Sequence, residues 1–316
     1  MRVTNPSWYL KYSIYLQNEG EIDCRNSGGK VQFIQYIRLV IMVVLIYLIK
    51  SFSMKPYADY IKTPTTYGCK YDSLAFTTSD GAALVGWYIY SQLQKNNNPA
   101  IIFSYGDAGN MSYFLDYAVE LSKHGFDVLL YDYRGFGKSS QFEIDKDMLI
   151  YREFIIDLHT AIDYVKEKYS PEIILFGLSM GACLSISVAG NRDDISAVVA
   201  EGPYENTNKV LGRINFKQQA MNHLRRFKNE SSLTAGSEPE DSIKNFGNTA
   251  FYAFTGSTDE IVTAKVIYTL YELCPARQKS IWIAAGTEHG NIVQNQTEQY
   301  FNNIYGFIDT VVIKPD

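Results

Sequence analysis

The chain has 316 residues, a formal net charge of -5, 46% hydrophobic residues and 20% charged residues. That length accommodates one large α/β domain plus an appendage, and the composition excludes a disordered chain. The acidic balance speaks against nucleic acid as a partner, and four scattered cysteines without CxxC spacing speak against a zinc site or a disulfide framework.

Residues 1–30 are polar and carry no recognisable chemistry. Val31 to Ile49 is apolar, and Leu39–Ile49 is an unbroken apolar run. A membrane span needs about 20 mostly apolar residues, so 31–50 is predicted to be a single-pass anchor. The competing readings are a cleaved signal sequence and an interfacial helix. Without a span the chain would be cytoplasmic. Arg25 and Lys30 flank one side and Lys50 and Lys55 the other, so charge selects no orientation. Residues 51–70 read as a linker, with Pro56 and Pro64 breaking any helix.

From residue 71 to 316 the pattern is that of a catalytic domain. Asp72–Thr78 and Leu84–Tyr90 read as strands joined by the turn Ser79-Asp80-Gly81. Ala100–Ser104 is a short buried strand, Tyr113–Lys123 a helix and Phe126–Tyr131 a strand. Asp147–Tyr169 is a long amphipathic helix, Ile173–Phe176 a strand, Met180–Ala189 a helix and Ile195–Ala200 a strand. Residues 203–246 interrupt the rhythm with a basic stretch holding Lys217, His223, Arg225, Arg226 and Lys228. This insertion reads as a small helical lid, with a solvated surface helix as the alternative. Ala250–Thr255, Ala264–Leu273, Ser280–Ala284 and Thr297–Val312 then resume the strand and helix alternation. Such alternation implies a mostly parallel sheet covered on both faces, with functional groups at the carboxyl ends of its strands.

The chemistry centres on Ile173–Cys183, IILFGLSMGAC. Gly-x-Ser-x-Gly between a strand and a helix is the nucleophile-elbow pattern. The serine sits on a turn so sharp that residues two positions away on either side have no room for a Cβ. A serine hydroxyl needs a base within hydrogen-bonding reach, and the base needs a group that fixes its tautomer. His289 follows the last strand on a loop with Gly286 and Gly290, and Asp259 follows the strand before it. The predicted triad is therefore Ser179, Asp259 and His289, with Glu260 and Glu288 as competing carboxylates. The predicted oxyanion donors are the backbone N–H groups of Met180 and Asp107. His124, His159 and His223 read as structural or peripheral, and Cys183 as a small core residue.

From about Pro64 onward the chain resembles an α/β-hydrolase of the membrane-anchored lipase, depalmitoylase and serine-aminopeptidase-like branch. The matching stretches are Gly86-Trp87, DYRGFGKS at Asp132–Ser139, GLSMGA at Gly177–Ala182, GSTDEIV at Gly256–Val262 and Glu288-His289-Gly290. The resemblance implies an eight-stranded, mostly parallel sheet with helices on both faces. It also implies a serine hydrolase without metal or organic cofactor, and a buried structural charge pair at Asp132 and Arg134. Tyr105 and Asp107 stand where the family carries His and Asn, which bears on efficiency and substrate preference more than on reaction type. The leading expectation is an ester, thioester or acylated small molecule as substrate. A peptidase with the same triad and a non-catalytic membrane-tethered scaffold are the alternatives. Nothing in the sequence selects an oligomeric state.

Overall fold

Short runs of β-branched and aromatic residues that are buried on both sides become the central strands of this protein. In the computed structural model every residue of β4 (Ala100–Ser104), β8 (Ala197–Glu201) and β9 (Ala250–Gly256) is buried. β2 (Tyr71–Thr77) instead alternates, as an edge strand with one wet face does. The structure describes residues 54–93, 98–145, 148–213 and 237–312. The predicted anchor over 31–50 lies outside the described residues. So does 214–236, the centre of the predicted lid, with its basic cluster and His223.

The main sheet has eight strands in the order β10-β9-β8-β7-β4-β6-β3-β2. The remaining members are β3 (Ala83–Ile89), β6 (Asp127–Tyr131), β7 (Ile173–Leu178) and β10 (Lys279–Ala284). All neighbours pair in parallel except β2 with β3 and β3 with β6. The register pairs Ser104 with Gly177, Leu178 with Glu201, and Ala284 with Gly256. The loops after β4, β7, β8, β9 and β10 therefore leave the sheet at one end. This is the α/β-hydrolase fold.

The helices are α1 (Leu115–Lys123), α2 (Arg152–Lys168), α3 (Met180–Ala189), α4 (Ala264–Leu273) and α5 (Thr297–Val312). On α2 the buried residues Phe154, Asp157, Leu158, Ala161, Ile162 and Val165 fall at three- and four-residue spacing, one face of a helix. α3 has no polar face, because all ten of its residues are buried. Two helix starts differ from the sequence expectation. α2 begins at Arg152, since Tyr151 is extended and its hydroxyl accepts the N–H of Asp145 at 2.6 Å. Ahead of α1, Met111–Phe114 is a 3-10 turn in which the side chain of Asn110 accepts the N–H of Ser112.

Two further differences matter for the site. The stretch read as a linker carries β1 (Lys55–Pro56), which pairs in parallel with β5 (Ala108–Gly109) just past residue 107. Two residues ending in proline give no periodicity from which to infer a strand. Asp132 and Arg134 are not partners of one another. Arg134 bridges Asp157 at 2.7 Å and Asp80 at 2.6 Å. Asp132 instead accepts from Tyr60 Oη (2.7 Å), Tyr105 Oη (3.0 Å) and the N–H of Met111 (2.7 Å). Both lie past the end of β6 at Tyr131, so strand alternation does not fix where they point, and each reaches a different element.

Candidate active site

β7 ends at Leu178, α3 begins at Met180, and Ser179 joins them with φ 51° and ψ −113°. Among the described residues it is the only non-glycine with positive φ. Such a conformation costs about 1–3 kcal/mol and persists only where the surroundings over-determine it. Here they do. The N–H of Ser179 donates to the carbonyl of Glu201 at 2.8 Å, which ties the elbow to β8. A Cβ on Gly177 would lie 2.3 Å from the Gly181 carbonyl oxygen, and one on Gly181 would lie 1.9 Å from that of Ser104. Strand and helix close up at the two places where no side chain intervenes.

His289 reaches this point from the loop after β10, between Gly286 and Gly290, both at positive φ. Its Nε2 is 3.0 Å from Ser179 Oγ, and its Nδ1 is 2.7 Å from Asp259 Oδ2. Asp259 is buried and held at both oxygens. Thr255 Oγ1 donates to Oδ2 at 2.7 Å, and the N–H groups of Ile261 and Val262 donate to Oδ1 at 2.8 Å each. With a carboxylate at Nδ1, the ring proton belongs there, and Nε2 is left to accept from the serine. The carboxylate that meets Nδ1 is Asp259 rather than Glu260 or Glu288.

Burial works against charge on both partners, yet their pairing prevails. Desolvation would lower the His289 pKa, but Asp259, then Glu201 and Asp107, hold it above the ordinary histidine value. Desolvation would raise that of Asp259, but His289, Thr255 and the Val262 N–H hold it below the usual carboxylate range.

The predicted oxyanion side lies on the loop after β4. Gly106 sits against the elbow, 3.7 Å from the Leu178 carbonyl oxygen and 3.8 Å from Ser179 Cβ, measured from where its Cβ would stand. The N–H of Met180 opens α3, where the first amides of a helix have no intrahelical acceptor. The carbonyl of Asp107 accepts the N–H of Lys55 at 2.8 Å. Burial raises the Asp107 pKa, against the pull of its own backbone N–H, His289 and Lys55. Tyr105, where the family has histidine, is buried and ties its hydroxyl to Asp132.

Sequence reasoning passed over Glu201. It ends β8 beside the elbow, is 4% exposed, and accepts Tyr300 Oη at 2.5 Å on one oxygen. Its other oxygen has no hydrogen-bond partner. Burial, partly opposed by Tyr300 and His289 and reinforced by Asp259, pushes its pKa up to about 7. The next residue, Gly202, lies against the imidazole, since a Cβ there would be 2.8 Å from His289 Cε1. The available signal was a glutamate ending an otherwise apolar strand, AVVAE.

Glu201→Gln is expected to act twice. It removes one of the carboxylates that raise the His289 pKa, so the acidic limb of any His289-dependent reaction moves to lower pH. Wild-type Glu201 has a folded pKa above its unfolded value. Its stabilising contribution is thus complete below about pH 4.5 and is lost as pH rises through about 7. The neutral glutamine escapes that loss, so the variant matches wild type in acid and exceeds it at pH 8 by on the order of 1–3 kcal/mol. Thermal melts across pH 4–8 would check this, and parallel curves for the two proteins would refute it.

The other histidines stand apart. His124 follows α1 and stacks on Tyr305 at 3.7 Å, and His159 lies on α2 against Arg192. Cys183 is buried on α3, where its sulfur accepts the N–H of Tyr204.

Fold and site together define an α/β-hydrolase. The model of the serine aminopeptidase S33 family matches residues 95–279, more than half of the chain, and the protein belongs to that family. The chain is 26% identical over 247 residues to the uncharacterized membrane protein YNL320W of Saccharomyces cerevisiae, covering 75% of this chain and 80% of that one. It is 34% identical over 140 residues to YfhR of Escherichia coli K12, covering 42% and 47% respectively. Among solved structures, the esterase Pf2001 of Pyrococcus furiosus superposes with a TM-score of 0.68 at 21% identity, over 82% of this chain and 98% of that one. Acetyl xylan esterase 1 of Thermoanaerobacterium gives 0.59 at 16% identity, over 79% and 86%. At these identities the two structures share the fold.

Proposed function

We propose that this protein is a serine hydrolase that cleaves carboxylic esters or thioesters through an acyl-enzyme. The observation that carries the reading is the unbroken line from Asp259 through His289 to Ser179, set on the one strained non-glycine residue among those described. Ser179 Oγ attacks the substrate carbonyl carbon while its proton passes to His289 Nε2. The imidazolium so formed faces Asp259, and the developing oxyanion faces the N–H groups of Met180 and Asp107. The carbon–oxygen or carbon–sulfur bond to the leaving group then breaks, and the leaving group takes the proton from Nε2. Water repeats the sequence on the acyl-enzyme. His289 removes a water proton, the hydroxyl oxygen bonds to the acyl carbon, and Ser179 departs with its proton restored.

The esterase names of the structural neighbours support an ester as the bond broken. The family description, serine aminopeptidase, favours a second reading in which the same groups cleave an aminoacyl amide. The name of the yeast relative, together with the apolar run before residue 50, supports a membrane location. Among the described residues no helix is long and apolar enough to cross a membrane.

Stopped-flow hydrolysis of nitrophenyl esters of short and long acyl chains, beside aminoacyl nitroanilides, tests the proposal. The expected result is a burst of one nitrophenol per chain from esters and slow or no release from the anilides. Anilide turnover at comparable kcat/KM would transfer the assignment to the peptidase reading. Absence of any burst from the most activated ester would leave the protein as a scaffold.

A further inference from the structure

The loop after β4 carries the N–H of Asp107, and its composition gives it little stiffness of its own. Residues 106–110 read Gly-Asp-Ala-Gly-Asn, and glycine opens backbone conformations closed to other residues. An oxyanion donor is effective when it is already aimed before the charge develops. Groups outside the loop must therefore fix it.

One carboxylate reaches both of its ends. Asp132 follows β6, the strand beside β4, and is fully buried. Its Oδ1 accepts Tyr105 Oη at 3.0 Å and the N–H of Met111 at 2.7 Å. Tyr105 and Met111 are the residues immediately before and after 106–110. A single oxygen atom thus gathers the two ends of the loop. Tyr133 Oη adds a bond to the Tyr105 carbonyl at 2.9 Å, and Lys55 N–H one to the Asp107 carbonyl at 2.8 Å. Oδ2 serves other elements, accepting Tyr60 Oη at 2.7 Å and the N–H of Lys138 at 3.4 Å.

The surrounding chain makes room for this carboxylate. A Cβ on Gly137 would lie 1.7 Å from Asp132 Oδ2, so no side chain fits there while the carboxylate stands in place. An ionised carboxylate only accepts hydrogen bonds and has about two lone-pair sites on each oxygen. The four donors named here are all uncharged N–H or O–H groups. That is the arrangement of a group that holds donors in position, not of one that balances a cation.

We propose that Asp132 is a positioning residue for the oxyanion side of the site: its Oδ1 ties the two ends of loop 106–110 together and so aims the N–H of Asp107 at the place where the oxyanion forms. Tyr105, where the family carries histidine, supplies one of the two bonds. The proposal rests on the serine-hydrolase reading for its chemistry. The holding of the loop does not depend on that reading.

Asp132→Ala would leave four donors unmet at once, so the test removes them singly, in the full chain. Tyr105→Phe cuts a bond to Oδ1 and keeps the ring stacked on Phe114 at 5.0 Å. Tyr60→Phe is the control. It cuts a bond to Oδ2 and keeps the ring against Trp87 at 4.9 Å. Tyr105→Phe is expected to lower kcat on an activated ester by about tenfold with KM within about twofold, since the loss falls on the transition state. It should weaken binding of a trifluoromethyl ketone, whose serine adduct carries an oxyanion, by a similar factor. Tyr60→Phe should lower the melting temperature and leave kcat within about twofold. Equal kcat in the two variants, or a rise in KM alone for Tyr105→Phe, would reduce Asp132 to a structural hub and overturn the proposal.

Amide hydrogen exchange over residues 103–112 reads the loop without turnover. Exchange there should quicken in Tyr105→Phe and stay as in wild type in Tyr60→Phe, and equal rates in all three proteins also overturn the proposal. If wild type hydrolyses no activated ester, the serine-hydrolase reading has failed, and the exchange arm still decides whether Asp132 holds the loop.

Discussion

Ser179→Ala is expected to abolish labelling by a fluorophosphonate probe and to lower turnover of an activated ester by about 10⁴–10⁶. The physical reason is that Ser179 Oγ, 3.0 Å from His289 Nε2, is the one group among the described residues placed to receive activation. Alanine keeps the Cβ and the strained φ of 51°, so the melting temperature should move little. Ser179→Gly should lose activity to the same degree but gain on the order of 1–3 kcal/mol of stability, because glycine removes the strain. This pair separates chemistry from folding. Labelling that persists in both variants would remove Ser179 from the reaction, and equal stability of the two would show that the elbow stores no strain.

The largest expected loss of stability comes from one carbon atom. A Cβ at Gly181 would stand 1.9 Å from the Ser104 carbonyl oxygen, 2.4 Å from its carbon and 2.6 Å from the Tyr105 carbonyl oxygen. All three are backbone atoms of β4 and the loop that follows, so no side chain can rotate aside. Gly181→Ala must push α3 away from β4. It should destabilise the protein by about 3 kcal/mol or more and slow fluorophosphonate labelling, since the loop at Gly106 rests on the elbow. Gly212 is the control. Nothing lies within 4 Å of a Cβ there, and it sits in the helical turn 207–213. Gly212→Ala should be neutral or stabilising by about 0.5–1 kcal/mol. Urea unfolding measures both, and a Gly181→Ala midpoint equal to wild type would contradict the close contact.

Much of this architecture is local and therefore legible in the amino-acid order. Apolar runs such as AIIFS and IILFGL read as strands because they are shorter than a helix and rich in residues that suit a sheet interior, where both of their faces are buried. The elbow can be read from its glycines, because the demand at Gly177 acts across four residues, onto the Gly181 carbonyl, although that at Gly181 comes from Ser104. The order of Ser179, Asp259 and His289 along strand ends could be inferred from the same alternation. What the sequence by itself determined, then, is the set of elements, their succession, and the residues delivered to strand termini.

The tertiary structure decided the matters that depend on distance through space. Glu201 was invisible as a site residue because its significance comes from burial beside His289, 88 positions later. The partners of Arg134 were misjudged because they lie on α2 and in the turn after β2, not two residues away. β1 escaped notice because two residues carry no pattern, and only its pairing with β5 makes it a strand. Periodicity records which face of an element is apolar. It holds no record of which other element covers that face, and the electrostatics of a buried site depend on that second fact.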